Sequence, residues 1–174
     1  MAPRHVVMVG LMGSGKTTIG ELVAQRLGLS FVDSDVELER RTGHTARELL
    51  DREGADRMHE LEAGVVRDAL DSPERLVVGA PASIVLTAPM RERLRREYVV
   101  YLHADPHSLA ERLAHTSDKH RPFVDQGPDV LLRQYAERDA LYREVASLVV
   151  DVTRRDKNDI VDEIVAALDQ PSGR

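Results

Sequence analysis

Gly10-Leu11-Met12-Gly13-Ser14-Gly15-Lys16-Thr17 sets glycine, four residues, glycine, lysine and threonine in one run, the pattern of a phosphate-binding loop. Its flanks suit that reading. His5–Val9 is a short apolar stretch fit for a strand buried on both faces. After the loop Ile19, Leu22, Val23 and Leu27 recur at helical spacing, and Gly28 can end the helix. A loop between a buried strand and a helix start offers backbone N–H groups and the helix dipole to a polyphosphate. The glycines let the backbone curl round phosphate oxygens with no Cβ in the way. Gly10, Met12, Gly13, Ser14, Gly15, Lys16, Thr17 and Thr18 are therefore the candidate nucleotide contacts. Lys16 is placed to reach the β- and γ-phosphates, and the Thr17 hydroxyl to ligate Mg²⁺. The chain holds three lysines, Lys16, Lys119 and Lys157, and otherwise draws positive charge from arginine. A lysine here fits the need for a compact point charge.

The chain has 174 residues, one domain's worth, and a formal net charge of −6. That balance argues against nucleic acid or an anionic membrane as the main partner. Two Phe, four Tyr and no Trp disfavour a base-stacking platform. Without cysteine there is no disulfide framework, thiolate zinc site or cysteine nucleophile. No apolar run reaches membrane-spanning length and no signal-peptide core opens the chain, so a cytoplasmic protein is expected; a monomer is a separate expectation.

Strand and helix patterns alternate throughout, which indicates an α/β fold with a parallel sheet. The expected strands are His5–Val9, Ser30–Asp33, Arg75–Val78, Val99–Leu102 and Leu148–Asp151. The expected helices are Lys16–Leu27, Val36–Arg41, Thr45–Glu53, Asp56–Leu70, Pro89–Arg96, Pro106–His115, Pro128–Ala146 and Asn158–Leu168. In such sheets ligands bind beyond the carboxyl ends of the strands. One polar stretch, Thr116 to Gly127 with a central Arg121-Pro122, interrupts the alternation and reads as a lid or as a surface loop.

Asp33-Ser34-Asp35 follows the second strand. Two carboxylates there suit Mg²⁺ water ligation and polarisation of a substrate hydroxyl, and residues two apart in an extended segment face one way. The alternative is that Ser34 or Asp35 only caps the next helix. In Asp56–Leu70, Met58, Leu61, Val65 and Ala69 share a face that Glu62 joins, with His59 at its edge. A half-buried His59–Glu62 pair favours imidazolium; a structural pair or a solvated edge reads equally well. In Pro128–Ala146 the apolar positions Leu131, Tyr135, Tyr142 and Val145 are interrupted by Arg138. A buried charge needs a partner, either an anionic substrate or an internal carboxylate. Arg112, Arg121, Arg154 and Arg155 are each placed to reach a nucleotide, or are surface charges. Gly79 permits a sharp turn near a ligand, and Pro81 removes a backbone donor.

In this order the pieces resemble the shikimate kinase family, a small P-loop fold like that of nucleoside-monophosphate kinases. The likeness rests on the phosphate loop, Phe31-Val32-Asp33-Ser34-Asp35, Glu62-Ala63-Gly64-Val65-Val66-Arg67, Arg121-Pro122, and Arg138 with Ala140-Leu141-Tyr142-Arg143. It implies a three-layer α/β fold whose five-stranded parallel sheet has the order 2-3-1-4-5, with helices on both faces. It implies a single domain over residues 1–169, a lid at about 116–127, a substrate-binding helical region at about 35–62 and a flexible tail at 170–174. The roles it implies are catalytic for Lys16, Asp35 and Arg121, and Mg²⁺ ligation for Thr17 and, through water, Asp33. Arg112, Arg154 and Arg155 would flank adenine, with Arg121 closing on the transferring phosphate. Asp35, His59, Gly79 and Arg138 would form the substrate site, Arg138 on a carboxylate. ATP and Mg²⁺ are the implied cofactors, a small polyol acid the partner, and aromatic amino acid biosynthesis the setting.

The chain departs from the family pattern in the acceptor site. His59 stands where the family has a second carboxylate-binding arginine, and Gly79-Ala80-Pro81 where it has three glycines. Arg57 lies near the opposite side of its helix and cannot substitute. The expected activity is phosphorylation of a small hydroxylated metabolite, with shikimate the leading acceptor and another cyclitol or sugar acid its close rival. A non-catalytic nucleotide-binding module and a nucleotide kinase stand as further alternatives.

Overall fold

The structure, a computed structural model, describes residues 4–115 and 127–170. Five strands, β1 (Val6–Val9), β2 (Ser30–Asp33), β3 (Leu76–Gly79), β4 (Tyr98–His103) and β5 (Leu148–Asp151), form one parallel sheet of order β2-β3-β1-β4-β5. Among the described residues eight helices connect and flank them: α1 (Lys16–Leu27), α2 (Ser34–Thr42), α3 (Ala46–Glu53), α4 (Ala55–Leu70), α5 (Ala88–Leu94), α6 (Pro106–Ala114), α7 (Pro128–Val145) and α8 (Lys157–Asp169). The residues of β1 are all 0% exposed, which explains a strand without polar alternation. Helices α1 and α8 pack together on the sheet, while α4, α5 and α7 form the other covering group. The expected elements are all present, displaced at their ends by one or two residues.

His5, expected as the first residue of β1, lies just before it and is fully buried. Its backbone N–H donates to Glu97 Oε2 at 2.7 Å. Its Nδ1 accepts from the Leu76 N–H at 3.1 Å, so the ring proton belongs on Nε2, which donates to Leu70 O at 3.1 Å. This imidazole pins the amino-terminal edge of the sheet, opposite the end where the phosphate loop emerges.

Helices α2, α3 and the first turns of α4 carry a small core of their own. Leu38, Ala46, Leu49, Met58 and Val65 form it, apart from the main core. Further along α4, Val66 and Leu70 belong to the main core, so one helix ties the two together. A capping box between Thr45 and Glu48 starts α3. The lid segment 116–126, with Arg121, and the tail from 171 onward lie outside the described residues.

Phe31 fills the gap between β2, α1 and β3 because two glycines leave it room. A Cβ on Gly20 would stand 2.5 Å from Phe31 Cε2, and one on Gly79 would stand 3.1 Å from its Cζ. Overpacking of this kind costs about 1–3 kcal/mol. Gly20→Val is expected to lower the unfolding free energy by that amount in urea titrations. Adding Phe31→Leu, which removes the obstructing ring, is expected to restore part of it. A Gly20→Val midpoint equal to wild type refutes this packing account.

Candidate active site

The phosphate loop joins β1 to α1 through three glycines at positive φ: Gly10 (151°), Gly13 (85°) and Gly15 (100°). Gly10 also lacks space for a side chain, since a Cβ there would lie 2.8 Å from both Leu102 O and Ser14 Oγ. Within the loop Ser14 N donates to Leu11 O at 3.1 Å, and Ile19 N to Gly15 O at 2.8 Å. Lys16 Nζ curls over the loop, donating to Gly10 O at 2.7 Å and Leu11 O at 3.0 Å. Arg112 of α6 donates to Gly13 O at 3.0 Å, so it reaches the loop from the far wall.

Asp33 ends β2, and its side chain caps α2. Its Oδ1 accepts from the N–H of Asp35 at 2.8 Å and of Val36 at 3.4 Å, while Oδ2 accepts from Thr17 Oγ1 at 2.7 Å. The cap is thus Asp33, not Ser34 or Asp35. The extended reading of 33–35 is also corrected, because the helix begins at Ser34. A capping aspartate bends the chain immediately after the strand, and Asp35 enters the first helical turn. Asp33 faces Thr17, whereas Asp35 lines the cleft beside the loop.

That cleft has a volume of about 310 Å³. The loop and Asp35 form one wall, Met58, His59 and Glu62 of α4 a second, Ala80–Ser83 a third, and Gln134 and Arg138 of α7 a fourth. Arg138 is only 5% exposed, and its Nε has no hydrogen-bond partner among the described residues. The nearest carboxylate oxygen to that nitrogen, on exposed Glu137, is 3.7 Å away. The internal-carboxylate alternative therefore does not supply a hydrogen-bonded partner for the Nε. Tyr142, fully buried one turn later, donates to Ala82 O at 2.5 Å and ties α7 to the third wall. The site thus joins a glycine-rich loop with an oxygen-rich edge to a cleft holding one buried guanidinium.

Comparison with known proteins agrees with that chemistry. The family model for shikimate kinase matches residues 12–169. The chain belongs to the shikimate kinase family. A curated shikimate kinase of Burkholderia thailandensis is 38% identical over 168 residues, covering 95% of this chain and 90% of the relative. The solved shikimate kinase of Acinetobacter baumannii in complex with shikimate superposes with a TM-score of 0.88 at 33% identity, covering 95% of this chain and 92% of that one. A gluconokinase from Sinorhizobium meliloti, at 26% identity, superposes with a TM-score of 0.71 over 95% of this chain and 91% of its own.

Within this shikimate kinase fold, several sequence expectations need correction. His59 and Glu62 form no charged pair. Burial, and then the positive charge of Arg138, lower the His59 pKa, which favours the neutral ring. Glu62 is buried, and its carboxyl is pushed up to about 8, first by desolvation and then by the charge of Asp35. Its Oε1 accepts from Ser83 Oγ at 3.3 Å. Gly79 makes no sharp turn: it is the last residue of β3, in register with Asp33 and Met8, and the lining residues are those that follow it. Arg57 is turned to the surface, donating to Glu60 at 3.0 Å. Arg154 and Arg155 follow β5 but do not line the cleft. Arg155 instead donates to Asp151 O at 3.0 Å and pairs with Glu163 at 2.7 Å.

Sequence reading missed Gln134 and Ser83 as lining residues. Gln134 was legible in the 3-4-4-3 spacing of the buried positions Leu131, Gln134, Arg138, Tyr142 and Val145. Choosing Tyr135 for that stripe hid it. Tyr135 is half-buried beside the stripe, its hydroxyl 2.9 Å from His103 Nε2.

Protonation of Glu62 has a thermodynamic signature. Between the ordinary carboxylate value of 4.5 and about 8, the folded protein holds a proton that the unfolded chain has released. Stability therefore falls as pH rises through that window. Glu62→Gln is expected to remove this contribution. The variant should gain on wild type by up to about 1.4 kcal/mol per pH unit in urea titrations run across the window. Parallel pH profiles for the two proteins would show that Glu62 ionises like a surface carboxylate.

Proposed function

We propose that this chain transfers the γ-phosphate of ATP to a hydroxyl of shikimate. The observation that carries the reading is the meeting, in one cleft, of the phosphate loop and Asp35 with a buried Arg138 on the opposite wall. Family membership and the closer superposition on a shikimate complex than on a gluconokinase support shikimate over a sugar acid.

In this reading the backbone from Gly10 to Thr18 holds the triphosphate, and Arg112, which reaches the loop at Gly13 O, flanks the base. Arg138 forks onto the substrate carboxylate and sets the ring in the cleft. Asp35 accepts a hydrogen bond from the reacting hydroxyl and takes its proton as the oxygen attacks the γ-phosphorus. The bond from that phosphorus to the bridging oxygen breaks, and ADP leaves. Lys16 stabilises the charge spreading over the phosphoryl oxygens, and Arg121, outside the described residues, is assigned the same task. The paired Thr17 hydroxyl and Asp33 carboxylate are hard oxygen donors of the kind Mg²⁺ takes. Thr17 would hold the ion directly and Asp33 through water, and the ion would supply neutralisation of phosphate charge.

The domain reading is a single unit over 1–169, with its acceptor region in about 35–62 and its lid in 116–127. The resemblance supports a monomeric cytoplasmic enzyme of aromatic amino acid biosynthesis. The structure adds that no helix among the described residues is long and apolar enough to cross a membrane.

ADP release coupled to a panel of shikimate, quinate and gluconate tests the reading. Shikimate is expected to give the highest kcat/KM, and faster gluconate turnover overturns it. Asp35→Asn is expected to lower kcat by roughly 10²–10⁴-fold, as loss of a general base does. Arg138→Lys is expected to raise the KM for shikimate about tenfold or more while leaving the KM for ATP in place. A rise in both constants would place Arg138 outside the acceptor site.

A further inference from the structure

Gln134 sits on α7 one turn before Arg138 and is 7% exposed, yet its Oε1 has no hydrogen-bond partner among the described residues. The buried residues one turn before it, Val130 and Leu131, are apolar. An aliphatic side chain in its place would bury no polar atom, so a buried amide with an open acceptor is an unfavourable element of the free protein. It faces the same cleft as Arg138, whose Nε is the other unpartnered buried atom there. The opposing groups are Asp35, His59, Glu62, Ser83 and Lys16. Ser83 is engaged with Glu62, and Lys16 with the phosphate loop.

We propose that Gln134 is a specificity-determining residue of the acceptor site, its Oε1 accepting a hydrogen bond from a substrate hydroxyl other than the one phosphorylated. The inference rests on the functional reading above and adds a residue that the family resemblance did not supply. An amide oxygen takes a donor, so the group opposite it is a hydroxyl or an ammonium, not a second carboxylate oxygen. Side chains one turn apart on a helix stand about 5–6 Å from each other at Cβ. The acceptor class is thus a polyhydroxylated carboxylic acid with a hydroxyl roughly one helical turn from its carboxylate. Gln134 and Arg138 together read that spacing, and an acid lacking the hydroxyl leaves the amide oxygen buried and unpaired.

The test is Gln134→Met, which keeps the side-chain length and removes both polar atoms. Wild type and variant are assayed with shikimate and with deoxy analogues that each lack one of the hydroxyls not phosphorylated. On shikimate the variant is expected to lose about tenfold in kcat/KM, with the KM for ATP within about twofold. On the one analogue missing the partner hydroxyl, the two proteins are expected to be equal within about twofold, wild type having fallen to the variant's level. Thermal unfolding of the variant is expected at or above the wild-type temperature, because no unpaired polar atom remains buried there. Equal kcat/KM on shikimate overturns the assignment. So does a loss of the same size on every analogue, or one that falls on the KM for ATP. Wild-type silence on shikimate and on all its analogues overturns the functional reading itself, and this assignment with it.

Discussion

Everything at the catalytic end of this sheet depends on the empty space beside Gly10. The carbonyl of Leu102 from β4 and the hydroxyl of Ser14 close in on the point where a side chain would begin. Only a bare backbone at positive φ passes between them and turns at once toward α1. If the chain turned later, Lys16 would no longer lie at the helix start and Thr17 would no longer meet Asp33. The hydrogen bond between those two then joins the amino ends of α1 and α2 across the edge of the sheet. One steric gap thus orients the loop, and one side-chain contact relays that orientation to the helix bearing Asp35.

The acceptor wall is organised differently, by charge and burial rather than by backbone. Four polar groups, His59, Glu62, Gln134 and Arg138, line the cleft, and the last three of them are buried. Burial drives His59 and Glu62 toward their neutral forms, reinforced by the charge of Arg138 on the first and of Asp35 on the second, and the cationic side chain that α7 brings to the cleft is Arg138. A wall with one buried cation set among neutral donors and acceptors suits a carboxylate. It leaves discrimination among ring substituents to hydrogen bonds.

The phosphate loop was legible in the sequence because it is local, whereas the sheet order came from the family resemblance. A glycine pattern between a buried strand and an amphipathic helix constrains its own geometry, and the family resemblance extended this to five strands. Asp35 was legible for the same reason, although its placement by an Asp33 cap was not. One residue of shift in a helix start turns an extended pair into a cap and a cleft residue. Features set by distant packing were hidden. Whether His59 and Glu62 would pair depended on how deeply α4 is buried against α2, α3 and β3. Gln134 depended on which of two adjacent residues lay on the inner line of an 18-residue helix with a weak apolar stripe. Gly79 carried a turn signal in sequence, yet what it accommodates is the ring of Phe31, a residue far away in the chain.

The bond from Tyr142 to Ala82 O has a consequence for how this enzyme can diverge. It is a strut between the segment that departs from the family's triple glycine and the helix that carries both Arg138 and Gln134. A shift in the backbone of that segment pulls on α7 through this bond, and α7 carries the guanidinium of Arg138. The two walls are therefore mechanically joined: bulk added at position 81 bears, through this bond, on the helix that carries residues four and eight places before Tyr142.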